Sequence, residues 1–198
     1  MNGASRAALR RLWHADLYRH LGGASGLAAG LRAYRLVPGF RFMFWLRLAA
    51  MTRASGGLWK LAHVAARLQH KRLRFKFGIS IPWQTQIGPG FYIGHFGGIV
   101  VNPAARIGRN CNISQGVTIG QLNRGERQGV PDIGEGVYIG PGAVIIGAIK
   151  VGAGSAIGAN AVVTRDLCRN AVAVGIPARV ISHEGSAGYV EFCDYPHA

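Results

Sequence analysis

The 198-residue sequence predicts a mainly β protein, a solenoid of parallel strands preceded by an α-helical region. Three observations predict it. From Ile79 onward aliphatic residues recur every six positions, glycine repeatedly follows them, and the segment before Ile79 has a helical period instead. A fixed short period is the mark of a solenoid, in which each repeat packs only on its neighbours.

The six-residue rhythm runs through Ile87, Ile93 and Ile99. After a slip of two residues it resumes at Ile107, Ile113 and Ile119. After a longer insertion it continues through Ile133, Ile139, Ile145, Val151, Ile157 and Val163. Each hexapeptide supplies one short strand and one turn, so three close a triangular coil. The aliphatic side chain points inward and stacks on its counterparts above and below. Gly, Asn and Pro suit the corners, where tight turns and positive φ are needed. A sandwich would show longer alternating strands, and a doubly wound fold would need helices between strands.

Upstream, Ala7, Leu9, Leu12, Trp13, Leu17 and Leu21 recur at helical spacing, and Gly22-Gly23 marks a stop. Pro38-Gly39 is expected to break the chain before a second helix from Phe40 to about residue 53. Ser55-Gly56-Gly57 breaks it before a third, from Leu58 to about Phe77. The expected organisation is a helical region over 1–78, the solenoid over 79–181 with a loop at 121–132, and a tail over 182–198.

Charge is unevenly placed. The formal net charge is +15, and residues 1–80 hold 15 of the 23 Lys and Arg against a single acid, Asp16. No carboxylate occurs between Leu17 and Gly125. Such a face could meet an anionic surface. Interleaved with Phe40, Phe42, Phe44, Trp45 and Leu48, it leads to an expectation of peripheral contact with the inner face of a membrane. No aromatic-basic stacking motif supports nucleic-acid binding. No stretch reaches about 18 apolar residues and no signal peptide is evident, so a cytoplasmic protein is expected. Cys111, Cys168 and Cys193 have neither zinc-ligand nor redox spacing. A zinc site of three histidines on the solenoid is disfavoured, because after His70 only His95, His183 and His197 remain.

By Gly94-His-Phe-Gly-Gly-Ile-Val-Val-Asn102, Ile113-Ser-Gln-Gly-Val-Thr-Ile-Gly120 and Val174-Gly-Ile-Pro-Ala-Arg179, the sequence resembles the hexapeptide-repeat acyltransferases, most of all their serine O-acetyltransferase branch. The resemblance covers about residues 35–181. It implies a left-handed β-helix, acetyl-CoA as co-substrate with no metal, and a homotrimer or dimer of trimers with active sites between subunits. Pro38-Gly-Phe-Arg-Phe, Leu73-Arg-Phe-Lys-Phe-Gly-Ile and Ile87-Gly-Pro-Gly-Phe-Tyr-Ile-Gly-His95 look like a subset associated with capsule and exopolysaccharide synthesis.

The resemblance places the family's catalytic histidine on His95. A neutral imidazole in a glycine-lined turn can take the proton of an acceptor hydroxyl. Where the serine branch orients this histidine with an Asp fifteen residues earlier, this chain has Ser80. Where it has an Asp just before the histidine, this chain has Gly94. Ser80 or a backbone carbonyl is therefore expected to fix the tautomer. Backbone N–H groups around Gly120-Gln121 are candidates for the thioester oxyanion. The resemblance puts the CoA positions at Pro141, Ala159, Thr164, Arg165 and Arg179, with the two arginines suited to phosphates. In the insertion, Arg124, Glu126 and Arg127 are the candidate acceptor contacts.

The expected acceptor is a sugar hydroxyl of a surface polysaccharide or its precursor, with L-serine as the alternative. A small zwitterion calls for a carboxylate near its ammonium group. The serine branch's loop Asp-Arg-His-Pro is Gln128-Gly129-Val130-Pro131 here, leaving only Glu126 and Asp132 nearby.

Overall fold

The computed structural model describes residue 1 and residues 3–195. Four helices come first: α1 (Gly3–His20), α2 (Leu27–Leu36), α3 (Pro38–Thr52) and α4 (Leu58–Phe77). Sequence patterning predicts three. The extra helix, α2, carries Leu27, Leu31 and Tyr34 at helical spacing, a signal obscured by glycines at 22, 23, 26 and 30; it fully buries only Ala33. The chain breaks at Val37, as expected near Pro38-Gly39, but these two residues lie inside the next helix and not before it. Pro38 opens α3, where its missing N–H leaves nothing unsatisfied. A Cβ on Gly39 would overlap the Ile93 carbonyl oxygen, so glycine there lets α3 lie directly on the solenoid. Gly78 ends α4 in the left-handed conformation, its N–H bonded to the Arg74 carbonyl.

Fifteen short strands follow: β1 (Ile79–Ser80), β2 (Gln86–Ile87), β3 (Tyr92–Ile93), β4 (Ile99–Val101), β5 (Arg106–Ile107), β6 (Asn112–Ile113), β7 (Thr118–Gly120), β8 (Asp132–Ile133), β9 (Tyr138–Ile139), β10 (Val144–Ile146), β11 (Lys150–Val151), β12 (Ala156–Ile157), β13 (Val162–Val163), β14 (Val172–Val174) and β15 (Arg179–Ser182). Successive strands fall on successive faces of a triangular prism. One face is β1-β4-β7-β10-β13, the second β2-β5-β8-β11, and the third β3-β6-β9-β12-β14-β15. Every pairing is parallel except the closing β14–β15 pair. This is the left-handed parallel β-helix.

The inward columns account for the six-residue period. Ile93, Ile113, Ile139 and Ile157 stack in register on the third face. Ile87, Ile107, Ile133 and Val151 stack on the second. On the first face the column is Val101, Ile119, Ile145 and Val163. The two-residue slip in the rhythm is absorbed within β4. Ile99 and Val101 are both buried while Val100 between them is exposed, because a strand presents every second residue to the same side.

The glycines divide into two groups with different causes. Those directly after the aliphatic residue, such as Gly108, are required by close stacking: a Cβ there would stand 2.6 Å from the Glu135 nitrogen. Those two residues further on, such as Gly116 at φ 72°, supply the left-handed turn. The sequence pattern suggests turn geometry for both groups; only the second has it.

The first coil of a solenoid leaves backbone groups without a strand beneath them. Here α1 supplies the partners. The Phe91 N–H donates to Asp16 Oδ1 (3.0 Å), the Ile93 N–H donates to His20 Nε2 (3.2 Å), and Arg19 donates to the Gly90 carbonyl (2.8 Å). Asp16 and Arg47 form a buried ion pair (3.0 Å), and Arg47 also donates to the Ile87 and Gly88 carbonyls. Burial pushes His20 below the ordinary imidazole pKa, against its bond to the Asp16 carbonyl. That matches a neutral ring whose Nδ1–H donates to Asp16 O (2.7 Å) while Nε2 accepts.

Beyond β15 the chain returns along the third face. Ser186 Oγ donates to the Gly136 carbonyl (2.6 Å), Asn112 Nδ2 to Tyr189 O (2.7 Å), and the Tyr195 hydroxyl to Asn110 Oδ1 (2.8 Å). Arg19 reaches the Glu191 carbonyl (3.0 Å), tying this segment to α1. Among the described residues no helix is long and apolar enough to cross a membrane.

Candidate active site

His95 lies in the turn between β3 and β4, at the corner joining the third face to the first. Its ring is exposed. The strand before it is held by the His20 bond to Ile93, and Phe96 after it packs on Phe77 at the end of α4 (5.4 Å). Gly97 and Gly98 have φ of 111° and 66°, so the turn is bare backbone on its far side. Coils stack closely above it: a Cβ on Gly98 would meet Gly116 Cα at 3.3 Å, and one on Gly116 would meet Gly142 Cα at 3.4 Å. The Gly116 N–H donates to Gly97 O, that of Gly142 to Gln115 O, and that of Asn160 to Pro141 O.

The same ladder brings Pro141 and Ala159 onto the corner that carries His95, one and two coils above the Gly116 turn. Thr164 and Arg165 sit at the next corner, after β13, and Arg179 opens β15. Arg165 and Arg179 are exposed. The candidate donor positions fall on two corners: Pro141 and Ala159 lie in line with the histidine, Arg179 pairs with Val174 at the end of that same side, and Thr164 and Arg165 lie across the first face.

The insertion is an ordered hairpin. Leu122 and Gly129 exchange backbone hydrogen bonds (2.9 Å each), Ala148 N–H donates to Arg127 O (2.8 Å), and Arg127 pairs with Asp166 (3.5 Å). Arg127 therefore anchors the hairpin, while Arg124 and Glu126 are exposed at its tip. The hairpin and Gly120-Gln121 lie at the opposite edge of the first face from His95. A three-residue strand separates the two corners by roughly 10 Å. Within one chain, the histidine and the acceptor and oxyanion candidates are not brought together.

Ser80 differs from its expected role. Its Oγ accepts from Arg74 Nη2 (2.7 Å), and among the described residues His95 has no side-chain hydrogen bond. An Arg at position 74, one turn from the end of α4, captures the hydroxyl before it can face the imidazole. Cys111 is buried, donates to the Gly134 carbonyl (3.1 Å), and is pushed up to about 12 by burial, which makes it inert as a nucleophile. Cys168 is exposed, 3.7 Å from His183 Nδ1. Among the described residues no three His, Cys, Asp or Glu side chains converge as a metal set; His197 lies outside them.

Residues 131–165 match the family model for the bacterial transferase hexapeptide (six repeats). A serine acetyltransferase of Staphylococcus xylosus is 39% identical over 126 residues, covering 64% of this chain and 58% of that protein. The chain thus spans under two thirds of the length of that curated relative. The soybean serine acetyltransferase apoenzyme superposes with a TM-score of 0.70 at 32% identity, covering 90% of this chain and 71% of that one. The chain belongs to the serine acetyltransferase family. A serine acetyltransferase from Brucella abortus strain S19, solved in complex with coenzyme A, superposes at TM-score 0.73 with 28% identity, over 89% of this chain and 68% of that one.

These relatives overturn the expected sugar acceptor and the closer likeness to capsule and exopolysaccharide enzymes. That expectation rested on the missing acids of one chain segment. The hairpin shows why the count misleads: Glu126 stands at a different corner from His95, so the charges around an acceptor cannot be read from the residues flanking the histidine.

Proposed function

We propose that this chain transfers the acetyl group of acetyl-CoA to the hydroxyl of L-serine, with His95 as general base. What carries the reading is the alignment of His95 beneath Pro141 and Ala159 on one glycine-built corner, in a chain of the serine acetyltransferase family. The acyl donor lies along that corner with its pantetheine against bare backbone. Thr164, Arg165 and Arg179 meet its polar end, the two guanidinium groups pairing with phosphates.

His95 accepts the serine hydroxyl proton as the oxygen attacks the thioester carbon. The tetrahedral oxyanion is met by backbone N–H groups around Gly120-Gln121. Collapse breaks the carbon–sulfur bond, and the imidazolium returns the proton to the departing CoA thiolate. Neutral imidazole suffices, so the scheme needs no metal. Supply of acetyl-CoA sets the cytoplasm as the working compartment.

The site is completed by a neighbouring chain in a trimer. In support, the outward column of the first face carries Val100, Thr118, Val144 and Val162, a largely apolar surface between the two half-sites. Packing such faces around a threefold axis brings one chain's hairpin to the next chain's His95. There Glu126 receives the serine ammonium group and Arg124 its carboxylate, replacing the charges absent at Gly94 and Gly129.

The test is steady-state kinetics with acetyl-CoA, reading thiol release. L-Serine is expected to be turned over, and Glu126→Gln to raise its KM by roughly 10-fold or more, the worth of one charged hydrogen bond, with kcat little changed. No thiol release above background with L-serine refutes the reading.

A further inference from the structure

A cavity of about 610 Å³ opens at the corner between the first and second faces, away from His95. One wall is α4, which contributes Arg67, His70, Lys71 and Arg74; the other is the turn after β1, with Trp83 and Gln84. Its volume falls in the usual range for small-molecule sites. Arg67 is held over the Trp83 ring (5.8 Å) and Arg74 is tied to Ser80 (2.7 Å), so both guanidinium groups are fixed at the cavity.

These three cations have no counter-charge. None of them makes an ion pair among the described residues, and the sequence has no acid from Leu17 to Gly125 that could supply one. Holding like charges together in one concave site costs free energy unless an anion joins them. One polar atom supports the same conclusion. His70 lines the cavity and is 2% exposed, and its Nε2 has no hydrogen-bond partner. Buried polar groups are ordinarily satisfied, so an unpartnered one at the wall of a cationic cavity points to a ligand there.

We propose that this cavity binds a phosphate-bearing anion, through Lys71 and the guanidinium groups of Arg67 and Arg74, with His70 as a further donor. The planar forks of the two arginines suit tetrahedral oxyanions in a bidentate manner, and Lys71 adds a point charge. Next to the cavity, the outward side of α4 exposes Leu61, Leu68 and Phe75 at seven-residue spacing. The phosphate can therefore belong to a soluble metabolite or to an anionic lipid headgroup whose chains meet that stripe.

The experiment uses the full chain and inorganic pyrophosphate as probe, by titration calorimetry at fixed salt. One saturating site per chain is expected. Lys71→Gln and Arg67→Gln should each weaken it by roughly 10-fold, the effect of one charge-assisted hydrogen bond. Arg32→Gln, an equal loss of charge on exposed α2, should leave it unchanged. Circular dichroism confirms that each variant is folded. Bound pyrophosphate should also raise the His70 pKa, which burial and the nearby Arg74 hold at about 4 in the free protein; histidine NMR reads this directly. A second arm uses phosphatidic acid vesicles against phosphatidylcholine vesicles. Binding to the former that pyrophosphate displaces assigns the headgroup source, and pyrophosphate binding without vesicle binding assigns a soluble one. No saturable pyrophosphate binding, equal weakening by Arg32→Gln, or an unmoved His70 overturns the site.

Discussion

Asp16→Ala removes the group that joins three parts of the molecule. Asp16 is fully buried and pairs with Arg47, which is 3% exposed, through contacts of 3.0 and 3.2 Å. Its Oδ1 also accepts the Phe91 N–H at the first coil. After truncation, Arg47 keeps only the Ile87 and Gly88 carbonyls, and a buried cation has lost its counter-charge. Breaking such a pair by removing one partner costs about 3–5 kcal/mol. The orphaned Phe91 N–H falls within the same disruption, with a cost of about 1–3 kcal/mol that does not simply add. A loss of about 4 kcal/mol is expected, a large part of the 5–15 kcal/mol typical of a folded domain. Urea unfolding at fixed protein concentration measures it. Asp16→Ala combined with Arg47→Met should recover part of the loss, because an apolar replacement of both partners removes the desolvation cost. A loss below about 1 kcal/mol, or a double variant weaker than the single one, would refute the account of how α1 anchors the solenoid.

Acid should destabilise the fold through its buried histidines. His70 titrates near 4 in the folded chain and near 6.5 when unfolded, so its contribution is complete above pH 6.5 and is lost as pH falls to about 4. That gap corresponds to about 3 kcal/mol. His20 acts in the same direction, and urea unfolding at pH 7 and pH 4.5 should show the loss; unchanged stability contradicts it. Gly108→Ala should cost about 1–3 kcal/mol as the added Cβ forces two coils apart, seen as a lower melting temperature. An unchanged melt would show that the coil spacing gives way freely.

The solenoid was legible because its cause is local and periodic. Each inward isoleucine is specified by its own hexapeptide, and the columns from Ile93 to Ile157 repeat the same contact. The slip at Ile107 also obeys a local rule, since two residues preserve the inward side of β4. What the sequence could not show depends on residues far apart in the chain. The partners of Asp16 lie 31 and 75 residues away, and nothing in a helical period marks a buried acid. Helix α2 was hidden because glycines at 22, 23, 26 and 30 obscure the helical spacing of Leu27, Leu31 and Tyr34. The spacing that placed His95 in a glycine-lined turn could not tell that Arg74 would take Ser80, nor that Arg127 would be tied to Asp166 while Glu126 stayed free to face outward. The acceptor was misjudged for the same reason: charge was counted along one segment, whereas corners bring distant segments into use.

Product formation from L-serine by the wild-type chain and by His95→Ala tests the central claim most directly. Incubation with acetyl-CoA, followed by mass spectrometry of the acceptor alongside thiol release, should detect O-acetylserine from the wild type. His95→Ala should retain the circular dichroism spectrum and the assembly state while turnover falls by about 10²–10⁴-fold, the usual contribution of a general base. Wild-type-like turnover in the variant, or no O-acetylserine from either protein, would contradict it.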